Sequence, residues 1–168
     1  ASGSTFVGSG ANVGVISATS TVDFSPFVVS DCSITSTVTG GGNLNDGLQF
    51  RDAVNDSPVT LTDVVLIATY VGIHTHPGPM LRSAVSMTRV TATTGLYGAG
   101  FKGNQDSPIT ITDSALAGST VALYIEKLLR SATALSGSTF TSAHVSRPTV
   151  DVPGLVDTSP FSVTGCTV

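Results

Sequence analysis

Tryptophan is absent, charged residues make up only 11% of the 168-residue chain, and cysteine occurs twice. Each scarcity removes a class of protein. Seven Lys and Arg against eleven Asp and Glu give a net charge of −4, without the clustered basic surface that nucleic-acid binding needs. No apolar run approaches the ~20 residues of a membrane-spanning helix, so membrane insertion is not expected. Cys32 and Cys166 are too few for a disulfide scaffold, and their spacing does not match a zinc site. Strong helix formers gather only between 122 and 134. In their place stand 22 serines and 24 threonines, so hydroxyls rather than ammonium and carboxylate groups wet the surface. The length fits one domain.

The hydroxyl residues are periodic. Four segments open on Ser-Pro and then alternate: Ser25-Pro26-Phe27, Ser57-Pro58-Val59, Ser107-Pro108-Ile109 and Ser159-Pro160-Phe161. Two more, from Ser83 and Ser131, keep the alternation without the proline. The six starts are 32, 26, 24, 24 and 28 residues apart, a period that fits one turn of a coiled stack of strands. In register, the position four past each serine is Val29, Leu61, Met87, Ile111, Leu135 and Val163. The position two past reads Phe27, Val59, Val85, Ile109, Thr133 and Phe161, apolar except for the threonine. Such columns are expected where stacked strands share one interior.

The apolar parity switches after Asp31, Asp63, Arg89, Asp113, Gly137 and Gly165, which marks a bend; Asp and Gly tolerate left-handed backbone there. Just before the segments, Asp56, Arg82, Asp106 and Arg130 alternate in sign, as rungs of a charge ladder would. A second strand group is expected around Gly47–Phe50, Gly72–Thr75, Gly95–Gly98 and Ala122–Ile125. An antiparallel sandwich also alternates, but it does not produce six segments in register with matching bends. The expected fold is therefore all-β: a single-stranded parallel β-helix, or solenoid, of about six short turns. Residues 1–24 would form an N-terminal strand or cap region and 25–168 the repeat turns.

These Ser-Pro-x-x-(Ile/Leu)-Thr-Asp and Gly-(Ile/Leu) strands resemble the right-handed parallel β-helix superfamily of pectate lyases, phage tailspikes and surface adhesins, over about residues 13–168. The resemblance, with the preference of parallel connections for one hand, implies a right-handed coil. It is a resemblance of architecture and points to no single family.

Chemistry-bearing residues are few. His74 and His76 fall on one side of a strand, a weak candidate for metal chelation with no third ligand at a suitable spacing; no metal or other cofactor is expected. Gln49, His74, Tyr97 and Tyr124 form an expected outward column, with His76 and Glu126 on the same face. That mix of rings, amides and a carboxylate suits a sugar. The strand after each serine turns out Thr60 and Thr62, Ser86 and Thr88, and Thr110 and Thr112, a flat hydroxyl array suited to low-charge packing. The pectin-hydrolysing motifs Asn-Thr-Asp, Asp-Asp and Gly-His-Gly are missing, as are a nucleophile elbow and a phosphate loop.

The leading expectation is thus a non-enzymatic structural or attachment module, packed against copies of itself or other subunits of a particle or fibre. A phage or virus surface component (tail, fibre or capsid decoration) is the first setting, and the localisation extracellular or at a virion surface. The last strand ends partway through a turn, and its edge is expected to be covered by another subunit. Cys32 and Cys166 fill one column, as small inward residues or as a head-to-tail contact between copies. The alternative is a carbohydrate-binding or carbohydrate-cleaving β-helix; an ice-binding face is third.

Overall fold

A computed structural model describes residues 1–8, 15–37 and 45–168. Among these residues there is no helix. Four parallel sheets, each of six short strands, surround one interior. Each coil of chain passes through them in order. Sheet 1 holds Phe27–Ser30, Val59–Thr62, Val85–Thr88, Ile109–Thr112, Thr133–Ser136 and Phe161–Thr164, and sheet 2 runs from Thr5–Gly8 through Ser33–Ser36 to Thr139–Ser142. Sheet 3 contains Ile16–Ala18, Leu48–Phe50, Val71–Thr75, Tyr97–Phe101, Val121–Ile125 and Val150–Asp151. Sheet 4 is made of two-residue strands from Val22–Asp23 to Val156–Asp157.

The register matches the sequence columns. Val59 pairs with Val85 and Val85 with Ile109, while Leu61, Met87 and Ile111 line the same stack. All of these are buried. Every pairing between named strands is parallel, which excludes a sandwich. The expected N-terminal region contributes Thr5–Gly8, Ile16–Ala18 and Val22–Asp23 to three of the four sheets; residues 9–14 of it lie outside the described residues.

Two bends per coil explain much of the sequence pattern. Asp31, Asp63, Arg89, Asp113, Gly137 and Gly165 all have φ between 49° and 62°, the left-handed conformation expected of them. Phe24, Asp56, Arg82, Asp106, Arg130 and Thr158 form a second left-handed column, between sheets 4 and 1. Each residue of this second column is followed by one of the repeating serines. Ser57, Ser83, Ser107 and Ser131 of that set are buried hydrogen-bond relays, while Ser25 is exposed and Ser159 half-buried. Ser57 N donates to Ser83 Oγ, Ser83 N to Ser107 Oγ and Ser107 N to Ser131 Oγ, each at 3.0 Å. The hydroxyl of Ser107 in turn donates to the carbonyl of Gln105, two residues back. A side chain thus replaces the backbone acceptor that the bend removes. The next position needs no N–H, so proline fits, and its carbonyl still serves the ladder: Phe27 N reaches Pro58 O and Val85 N reaches Pro108 O, both at 2.8 Å. Cys32 and Cys166 replace serine in the equivalent place at the other bend, their thiols directed at the carbonyls of Ser30 and Thr164. Both are free thiols.

The expected charge ladder is present as two-pronged ion pairs. Arg82 grips Asp56 at 2.6 and 2.7 Å, and Arg130 grips Asp106 at 2.7 and 2.8 Å. A third pair, Arg89 with Asp63 at 2.6 and 2.7 Å, stands in the other bend column. The arginine hydrogen bonds hold the carboxyls of Asp56, Asp63 and Asp106 below the ordinary carboxylate range. A depressed folded-state pKa contributes stability that is fully present above the unfolded value and disappears as pH falls through the folded value. The melting temperature should therefore drop on acidification below about pH 4. The acid slope should flatten in 1 M salt and in an Arg82→Met, Arg89→Met, Arg130→Met variant, both read by circular dichroism.

Candidate functional site

The rod has two kinds of surface. On sheets 1 and 2 each strand turns two side chains outward, and none is charged. Sheet 1 presents the expected Thr60 and Thr62, Ser86 and Thr88, Thr110 and Thr112; of these only Thr110 is fully exposed, the others being half-buried. One hydroxyl rung closes directly, from Ser136 Oγ to Thr112 Oγ1 at 3.2 Å. Sheet 2 is a second uncharged face, which sequence reasoning missed. Its strand Thr91–Thr94 turns out Thr91 and Thr93, its strand Thr139–Ser142 turns out Thr139 and Thr141, and its strand Val65–Ala68 exposes Val65 and Ile67. The signal was in the chain as the odd positions after the first bend.

Ionisable and aromatic residues gather instead on the outer side of sheet 3. Its register sets Ser17, Gln49, His74, Gly100, Tyr124 and Asp151 in one column. The expected column is corrected here: Tyr97 aligns with Val71 and Val121, and Gly100 takes the place next to His74. Register follows the backbone and not side-chain type. Gly98 has to lie against the carbonyl of Ala122, where a Cβ would come within 2.5 Å of the oxygen. Tyr97 nevertheless reaches the face. It lies beside the bare Cα of Gly100 and stacks on Tyr124 with ring centres 5.0 Å apart and planes 7° from parallel.

Gln49 and His74 point outward from the sheet yet are buried, and Asp46 binds both. Its Oδ2 accepts from Gln49 Nε2 at 2.8 Å and lies 2.9 Å from His74 Nδ1; its Oδ1 takes the Val71 N–H at 3.3 Å. Asp46 is itself fully buried. As a carboxylate Asp46 only accepts, so His74 Nδ1 is the donor in this contact. His76 follows on the same side, its ring 5.2 Å from that of His74 and 29° from parallel. Desolvation, with Lys102 and His74 adding, pushes the His76 pKa below its ordinary value. Lys102 is paired with Glu126 at 3.3 Å, and its N–H is received by Thr75 Oγ1 at 2.9 Å. Burial raises the Tyr70 and Tyr124 hydroxyls, which stay protonated. Tyr70, His74, His76, Tyr97, Lys102 and Tyr124 enclose a recess of about 160 Å³.

The structure thus brings together all six expected ligand-face residues, and adds Asp46, Tyr70 and Lys102. Nothing in the spacing around Asn45-Asp46-Gly47 distinguished that aspartate from a bend residue. Chemically the cluster is a shallow, aromatic-walled recess. Asp46 is committed beneath His74 and Glu126 to Lys102. Among the described residues no three His, Cys, Asp or Glu side chains gather as a metal cage. Compared with family models, curated proteins and solved structures, the chain matches none.

Proposed function

We propose that this solenoid is a non-enzymatic structural module that packs side by side with copies of itself in a larger particle or fibre, of the kind that forms a phage or virus surface. One observation carries the reading: two adjoining sheets hold no outward charge, while three arginines of the rod are neutralised in ladders at the bends. Depletion of charge is the compositional mark of an interface core. Exposed Val65 and Ile67 add apolar area to it.

Light scattering over a concentration series, with negative-stain microscopy, tests the proposal. The chain should associate beyond the monomer, and Ile67→Lys with Thr91→Glu should return it to monomer without shifting its melting temperature. A strict monomer at millimolar concentration overturns it. Thermal hysteresis in the chain that Ile67→Lys abolishes would install the ice-binding reading instead. The sugar-binding reading draws on Tyr97 and Tyr124, but each ring spends one face on the other. Binding on a glycan array, lost in Tyr97→Ala and Tyr124→Ala, would install it.

A further inference from the structure

The His74–His76 pair carries more than the packing reading uses. We propose that these two imidazoles bind one first-row divalent ion of the kind that favours nitrogen ligands (Cu2+, Ni2+ or Zn2+), with water from the recess completing its shell. Alternate residues share a side, and here the rings of His74 and His76 sit 5.2 Å apart. A metal about 2.0–2.1 Å from one nitrogen of each imidazole sets the ring centres roughly 5 Å apart at a tetrahedral angle. The observed separation meets that figure, and because the two rings are stacked 29° from parallel, binding turns them until one nitrogen of each faces the same ion.

The second observation is independent of the pair. Metal-bound histidine generally donates its other N–H to a carboxylate, which fixes the tautomer and raises the basicity of the ligating nitrogen. Asp46 stands in that relation to His74, fully buried, at 2.9 Å from Nδ1. Gln49 and the Val71 N–H hold the carboxylate in turn. His74 and His76 both line the recess, a space that holds about five waters at liquid density. The borderline softness of imidazole selects copper, nickel and zinc over calcium or magnesium, which take oxygen ligands.

The experiment is calorimetric titration of the full chain with CuCl2, NiCl2, ZnCl2 and CaCl2. One ion per chain is expected, with copper tightest and no heat from calcium. Electron paramagnetic resonance of the copper form should resolve two nitrogen ligands. His76→Gln, at a half-exposed position, should weaken binding at least tenfold with an unchanged melting curve. Asp46→Asn should weaken it about 10–100-fold, scored only if the variant melts cooperatively. His144→Gln, at an exposed histidine outside the cluster, should have no effect. Absence of copper and zinc binding, unaltered affinity in His76→Gln, or transfer of the loss to His144→Gln each overturns the site.

Discussion

Gly72→Ala is expected to be among the most destabilising single substitutions in this chain, although it adds only a methyl group. A Cβ at Gly72 would lie 2.4 Å from the carbonyl oxygen of Gly98 in the next coil, with Thr94 Cγ2 and Ala92 Cβ at 3.2 and 3.3 Å. Each of these neighbours is rigid: one is a backbone oxygen inside a parallel sheet, and the other two are short side chains wedged at the turn from sheet 2 to sheet 3. Relief requires the coils to separate, which stretches ladder hydrogen bonds on both sides. Overpacking of a close-packed interior costs about 1–3 kcal/mol and sometimes more, and this contact belongs at the upper end. Thermal melts should place Gly72→Ala roughly 6–10 °C below the parent. The exposed Thr110→Ala should shift less than about 2 °C. A Gly72→Ala protein as stable as the parent would mean that the coils are not packed at this corner as described.

The same corner shows how far the sequence could be read. Sheet 1 and its first bend were legible because a two-residue side-chain period, a fixed serine and a fixed bend recur together. The stack Val59, Val85, Ile109 is found in the order read from the chain. Sheet 4 was not legible. Strands such as Met80–Leu81 have two residues, too few to establish any period. The role of the serines also escaped. A repeating Ser-Pro can be counted, but that its hydroxyl accepts the N–H of the preceding coil depends on a left-handed residue before it, here occupied by Asp, Arg, Phe and Thr alike. Arg82 and Arg130 in that conformation run against local preference, as do Phe24 and Thr158, which take the same φ without an ion pair.

At the recess, residue type was the useful signal and register the misleading one. His74, His76, Tyr124 and Glu126 were singled out as the rare ring-bearing and acidic side chains of a hydroxyl-rich sequence, and the fold gathers them. Tyr97 was placed in the wrong column because a Gly-Leu-Tyr-Gly string imitates its neighbours, whereas the chain keeps register through the glycine that can touch Ala122. Asp46 was invisible for another reason. It is buried under Gln49, three residues on in its own coil, and under His74 of the next coil, and no local spacing encodes that second relation.

The second large effect is expected at Phe101. Its column runs Phe50, Thr75, Phe101 and Ile125 along the inner side of sheet 3, large and small side chains partly alternating up the rod. Phe101 is fully buried, and the same coil supplies only Ala92 and Ala99 from sheets 2 and 3. Removing the ring leaves a space that the closed ladders around the coil prevent from collapsing. Phe101→Ala should cost about 3–5 kcal/mol, a fall of roughly 10 °C in the melting temperature; Phe101→Leu should recover more than half of it. A solenoid coil contacts only its neighbours, so a weak central coil divides the stack into two halves. Unfolding of Phe101→Ala should therefore broaden, with residues before Gly72 and after Val121 exchanging their amide hydrogens at different rates. A sharp transition with uniform exchange would show that cohesion runs through the whole rod and is not handed from coil to coil.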